Sequence, residues 1–151
     1  MTEQSTARRG VWIGVDVGSV RVGVARSDPD GVLASPLCTL RRAAGDGADV
    51  DELAGIVAAE RAVLVVVGHP RHLSGARGTS ALDAESYAAA LRTRVSVPVE
   101  LVDERLSTVV AQQSLRRSGV RGKAQRAVID QAAAVAILQS ALDAARGTMA
   151  P

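Results

Sequence analysis

Apolar positions follow two patterns along the chain, and the change between them falls near residue 44. Residues 11–17 (Val-Trp-Ile-Gly-Val-Asp-Val) and 20–26 (Val-Arg-Val-Gly-Val-Ala-Arg) are short, β-branched and broken by polar or glycine positions, which predicts two β-strands. Gly18 and Ser19 between them predict a two-residue hairpin of the Gly-Ser kind. The string Asp28-Pro29-Asp30-Gly31 suits a chain reversal into a third strand over 32–40, giving an antiparallel meander.

Beyond the Gly/Asp-rich loop 44–49 the spacing turns helical, with Val50, Leu53, Ile56, Val57 and Ala59 recurring up to Glu60. The continuous apolar run 62–67 then reads as a strand buried on both faces. A loop over 68–79 with three glycines leads to a helix capped by Ser80 and running to about Arg94, and 97–102 is a further short strand. Ser107 or Thr108 can cap a helix to about Arg117, Gly119 breaks it, and 125–145 carries a last helical pattern. The order β-β-β-α-β-α-β-α-α predicts an α/β fold: a mixed five-stranded sheet, a meander plus two parallel strands, with helices on both faces. One domain over 11–146 is expected, between a flexible tail 1–10 and a short tail 147–151.

A chain of 151 residues with 47% apolar content suffices for one core and is too short for two. With no Phe, one Trp and one Tyr, the sequence gives little support for binding nucleic acid on stacked aromatic platforms, so any polynucleotide is expected to be held mainly by its phosphates. Basic and acidic residues number 18 and 16, a net charge of +2, so distribution matters more than the sum. Arg116, Arg117, Arg121, Lys123 and Arg126 form a run without an acid, either a phosphate-binding patch or a solvated helix-loop-helix surface. The lone Cys38 excludes an internal disulfide and a cysteine-built zinc site, and is expected to be a buried small hydrophobe. No apolar segment of signal-peptide type follows the polar start, and no run approaches the ~20 apolar residues of a membrane span. The expected location is the cytoplasm, without membrane partners.

Three sets of carboxylates carry the candidate chemistry. Asp16 stands among apolar neighbours near the end of the first strand, where it is either a turn acceptor or a functional group. Asp103 and Glu104 follow Glu100-Leu101-Val102 at another strand end; side chains alternate there, so only one of the two can share a face with Asp16. On the last helix, Asp130 falls on the same 100° stripe as Ala133, Ala134, Ile137 and Ala141, a face meant for burial. An exposed pair with Arg126 one turn earlier is worth only about 0.3–0.5 kcal/mol and does not account for a buried stripe. Carboxylates from two strand ends and a covering helix would repel one another unless neutralised, and hard oxygen donors without His or Cys suit Mg²⁺ or Mn²⁺. Two such ions can assist phosphoryl displacement, and the basic run lies just before Asp130.

In this order and spacing four motifs resemble the YqgF family, described as Holliday junction resolvases and as pre-16S ribosomal RNA nucleases with a ribonuclease H-like fold. They are Gly14-Val15-Asp16-Val17-Gly18 with Arg21-Val22-Gly23-Val24-Ala25, Val67-Gly68-His69-Pro70 with Gly75, Asp103-Glu104-Arg105-Leu106-Ser107-Thr108, and Ile129-Asp130-Gln131-Ala132-Ala133-Ala134 with Ile137-Leu138-Gln139. The resemblance covers nearly the whole chain. It implies a metal-dependent nuclease with Asp16, Glu104 and Asp130 as metal ligands, Asp103 as the alternative to Glu104, and Arg105 and Thr108 at phosphate or supporting positions. It also implies that Gly68 lets substrate backbone approach. His69, where the family usually has Leu or another apolar residue, either touches substrate or is an exposed loop residue, and exposure is the expectation.

Two other classes compete. Asp16-Val17-Gly18 also resembles the phosphate-binding strand turn of actin-like and sugar-kinase ATPases, which close two such domains around ATP, whereas this length supplies one. A non-catalytic nucleic-acid-binding module could keep the fold, but would gain by losing carboxylates near phosphates. Structured precursor RNA and branched DNA both remain open as substrates, because no motif reports a 2′-hydroxyl. A junction resolvase would need two symmetric sites and hence a homodimer.

Overall fold

In the computed structural model, which describes residues 9–43, 45, 47–70, 79–103 and 122–149, the meander comprises β1 (Trp12–Val17), β2 (Arg21–Ser27) and β3 (Ala34–Arg41). Helix α1 (Ala48–Ala59) leads to β4 (Leu64–His69), α2 (Thr79–Arg92) leads to β5 (Val99–Asp103), and α3 (Gly122–Met149) follows, with its side chains described over 131–147. The five strands form one sheet in the order β3-β2-β1-β4-β5. Pairing is antiparallel within the meander and parallel for β1 with β4 and β4 with β5, so the expected mixed sheet is observed. The expected helix over 107–117 lies outside the described residues.

Alternation along the strands sorts the core into two layers. Ile13, Val15, Val22, Val24, Val65 and Val67 face α1 and α2, where they meet Leu53, Val57, Ala88 and Leu91. Trp12, Ala25, Ala34, Leu64 and Val66 face α3 and pack on Ala134, Ile137, Leu138 and Leu142. On this second side the helix comes very close. A Cβ built on Gly14 would lie 2.6 Å from Leu138 Cβ and 3.0 Å from the carbonyl oxygen of Ala134, so only glycine permits the approach.

Two glutamines set the lengthwise position of α3. Gln131 Nε2 donates to Thr39 Oγ1 (2.9 Å), near the end of β3. Eight residues on, Gln139 Oε1 accepts from the Ala34 amide (2.9 Å) and its Nε2 donates to the Val32 carbonyl (2.9 Å), at the start of β3. Helix α3 therefore runs opposite to β3, and so opposite to β1, with its first turns toward the C-terminal end of β1.

Several boundaries differ from those expected. The hairpin turn is Ser19-Val20 rather than Gly18-Ser19: Gly18 N–H donates to Arg21 O (2.9 Å), and Val20 is exposed. The third strand begins at Ala34 because Val32 and Leu33 spend their amides on Asp28, whose Oδ1 accepts from both (2.8 and 2.7 Å). Gly68 and His69, expected in a loop, are the last two residues of β4. Cys38 is half-buried beside the first core layer rather than fully enclosed, and burial, with smaller help from Glu52 and Glu60, pushes its thiol above the ordinary value.

Candidate functional site

The parallel strands β1, β4 and β5 end together, and of the sequence candidates Asp16, Gly68, His69 and Asp103 lie at those strand ends. Asp16 is the penultimate residue of β1 and is half-buried. It alternates with Val15 and Val17, which belong to the layer under α1 and α2, and shares the side of Gly14; it therefore stands on the α3 face. Its cross-strand partner is Gly23, and Gly23 pairs in turn with Thr39, so the row Asp16, Gly23, Thr39 has no side chain in the middle. Thr39 is the residue that receives Gln131 of α3.

Asp103 ends β5, is exposed, and pairs in register with His69. Leu101, two residues earlier, packs on the α1 and α2 layer, so Asp103 lies on the opposite face from Asp16. Of the other expected residues, Glu104, Arg105, Thr108, Arg116, Arg117 and Arg121 lie outside the described residues. Lys123, Arg126 and Asp130 belong to α3, with side chains outside the description. Asp130 precedes Ala134, which sits over Gly14, by one helical turn of four residues, about 6 Å. Asp16 lies two residues beyond Gly14 in the same direction, also about 6–7 Å. Among the described residues no group of three His, Cys, Asp or Glu side chains could hold a metal; of the three expected ligands, Asp16 alone has a described side chain.

The expected exposure of His69 is corrected: it is 7% exposed, and its Nε2 lies 2.7 Å from Glu85 Oε2 on α2. The loop reading failed because the strand continues through Gly68, which carries His69 beneath α2.

A second polar cluster braces the hairpin tip from the α1 and α2 face. Arg42 N–H donates to the Val20 carbonyl (2.8 Å), and Arg42 Nη1 donates to the Gly18 carbonyl (2.8 Å). The same guanidinium is bidentate to Asp83 of α2 (2.8 and 3.2 Å), lies 3.5 Å from the buried carboxylate of Asp49 on α1, and sits 5.2 Å from the centre of the Tyr87 ring. Burial first, and the Asp49 charge second, raise the Tyr87 hydroxyl far above its ordinary value. These partners lie up to 45 residues from Arg42, and sequence spacing gave no signal for them. A shallow cavity of about 410 Å³ lined by Val17, Gly18, Ser19, Ser80, Leu82, Asp83 and Ser86 opens beside the braced tip.

Residues 10–144 match the family model RuvX, described as Holliday junction resolvase. A protein of Mycobacterium sp. (strain KMS), named "Putative pre-16S rRNA nuclease", is 57% identical over 143 residues, 94% of this chain and 85% of that protein. One of the same name from Mycolicibacterium paratuberculosis is 60% identical over 139 residues, 91% of this chain and 83% of that protein. Among solved structures, T. thermophilus RuvC in complex with Holliday junction substrate superposes with a TM-score of 0.57 at 18% identity, covering 92% of this chain and 97% of that one, which shows a shared ribonuclease H-like fold. By sequence over nearly its whole length, this chain belongs to the RuvX family of nucleic-acid hydrolases.

Proposed function

We propose that this nuclease cuts phosphodiester bonds with two divalent cations held by Asp16, Glu104 and Asp130, and that it trims the 5′ end of pre-16S rRNA in ribosome biogenesis. The observation that supports it most is the arrangement of the α3 face. Asp16 stands there with bare Gly23 beside it, and the direction and lengthwise position of α3 carry the turn before Ala134 toward the same end of β1. Oxygen donors without His or Cys fit hard cations such as Mg²⁺ or Mn²⁺. With Asp103 on the far face, Glu104 is the member of the acidic pair assigned to the metal side. When bound, the two cations lower the pKa of an attacking water and offset charge on the leaving oxygen.

The chain's own residues hold the substrate. Arg116, Arg117, Arg121, Lys123 and Arg126 attract the phosphate backbone without reading sequence, while Arg105 and Thr108 contact phosphates nearer the cut. Gly68, at the end of β4, leaves room for substrate backbone. His69, paired beneath α2 with Glu85, supports that strand end rather than offering a surface contact. A single domain over 11–146 acts in the cytoplasm; among the described residues no helix is long and apolar enough to cross a membrane.

The relatives named for pre-16S rRNA favour the RNA substrate. A second reading, cleavage of branched DNA by a homodimer, is favoured by the description of the family model. The test is a side-by-side cleavage assay of structured precursor RNA and four-way DNA junctions with Mg²⁺, with Mn²⁺ and with chelator. Precursor trimming that stops on chelation supports the proposal, faster symmetric junction cutting supports the second reading, and activity that survives exhaustive chelation removes the metal mechanism.

A further inference from the structure

We infer that Thr39 and Gln131 form a positioning pair, which fixes the depth of α3 along the sheet so that Asp130 and Asp16 meet at one level. The inference rests on the reading of those two carboxylates as metal ligands, and goes beyond it by assigning the work to two residues that carry no charge.

The geometry is specific. Thr39 is in the same cross-strand row as Asp16, with Gly23 between them, and strands lie ~4.8 Å apart, so its hydroxyl is about 10 Å from the Asp16 position across an empty floor. Gln131 is the residue after Asp130, and its amide closes on that hydroxyl at 2.9 Å. Both side chains are half-buried, where a neutral hydrogen bond is less exposed to competition from water.

The apolar contacts of α3 hold it farther along its length. Ala134, Ile137, Leu138 and Leu142 carry its burial, all of them C-terminal to Gln131, and the first of them, Ala134, presents only a methyl group. A directional bond at Gln131 does not survive a shift of one residue, 1.5 Å, and so constrains the turn next to Asp130 more tightly than that methyl group does. Gln139 anchors the far end of the contact at Ala34 and Val32. Gln131 is the anchor at the end where the carboxylates stand. A slip of an ångström there moves Asp130 relative to Asp16 by an amount that metal–oxygen distances near 2.0–2.1 Å do not tolerate.

The experiment uses the full chain with Thr39→Val, Thr39→Ser, Gln131→Met, the Val/Met double variant and Gln139→Met, beside Asp16→Asn and Asp130→Asn. Each is measured for melting temperature, kcat and KM on cleaved substrate, and Mn²⁺ affinity by titration calorimetry without substrate. Thr39→Val and Gln131→Met are expected to lower kcat about 3- to 10-fold, the leverage of one neutral hydrogen bond, and to weaken Mn²⁺ binding similarly while KM stays within about twofold. The double variant should lose no more than either single one, and Thr39→Ser should restore kcat and Mn²⁺ affinity because it keeps the hydroxyl. Gln139→Met should lower the melting temperature at least as much yet leave kcat near wild type. Full kcat and Mn²⁺ affinity in Thr39→Val, or an equal kcat loss in Gln139→Met, overturns the inference even if the two Asp variants are dead. A change confined to KM would make Thr39 a substrate contact and also overturns it. Wild-type cleavage by Asp130→Asn instead brings down the ligand reading, and the positioning role with it.

Discussion

The two faces of the sheet are built on different terms. Under α1 and α2 the contact is made of branched side chains, Ile13, Val15, Val22, Val24, Val65 and Val67 against Leu53, Val57 and Leu91, and polar members pair across it: Arg42 with Asp83 and Asp49, His69 with Glu85. Under α3 the sheet buries Trp12, Leu64 and Val66 but also offers Gly14, Asp16, Gly23, Ala25 and Thr39, small or polar groups, and over Gly14 the helix comes down on Ala134 and Leu138. The first face spends its area on burial. The second combines burial with small positions and keeps a charged residue where a larger side chain could have packed. On the proposed reading of Asp16 the chemistry belongs to the α3 side alone, and substitutions on the two sides should separate it from stability.

The largest effect is expected on the α3 face. Asp16→Asn should lower cleavage on the order of 10³-fold, the scale of losing an electrostatic group at a reacting centre, with melting temperature unchanged or raised because charge repulsion is relieved. A variant that cuts at the wild-type rate would make Asp16 a turn residue and dissolve the contrast between faces. The opposite signature belongs to Leu53, fully buried on α1: Leu53→Ala should cost about 2–5 kcal/mol by denaturant titration, while kcat per folded molecule stays at the wild-type value.

Gly14→Ala joins the two signatures. The new methyl group meets Leu138 Cβ and the Ala134 carbonyl, neither of which can swing away, so α3 must lift. About 1–3 kcal/mol of stability should go, and kcat should fall with it because the helix bearing Asp130 moves off the sheet. Loss of stability at full kcat would show that α3 needs no close seat for chemistry.

The smallest effect lies at the far turn, which belongs to neither face. The amides of Leu33, Val32 and Asp30 hold the Asp28 carboxyl below its ordinary value of 3.8. A depressed folded-state pKa gives stability that is present above the unfolded value and lost as pH falls through the folded one. The gap in melting temperature between wild type and Asp28→Ala should therefore be constant above about pH 5, narrow below about pH 4, and leave cleavage at neutral pH untouched.

How much of this the sequence showed depended on whether the cause was local. The meander and the αβαβ remainder were legible because periodicity changes at residue 44, and the strand over 62–67 was legible as a solid apolar run. The hairpin slipped by one residue because Gly18 looked like a turn glycine. It is needed for another reason: a Cβ there would lie 2.6 Å from the Arg21 carbonyl across the closing pair. His69 was misjudged because its partner Glu85 is 16 residues away on a helix that folds over it. Asp49 read as part of a loop and is instead buried against Arg42. Asp16 stood out in sequence because an acid amid valines contradicts its neighbours, whereas Thr39 and Gln131, both ordinary where they stand, show their relation only across 92 residues.

Strand β3 also bears on how the molecule keeps to itself. It forms one border of the sheet, and a border with unpaired main-chain groups is a template on which another chain can crystallise as an added strand. Here Pro36 supplies no N–H, the pairing with β2 shifts register beside it, and Ser35 and Arg41 stand exposed. An incoming strand meets a broken ladder and a charge. Filament growth along this border is thereby discouraged from the moment the sheet forms, and a second copy of the enzyme is turned away from adding a strand at β3.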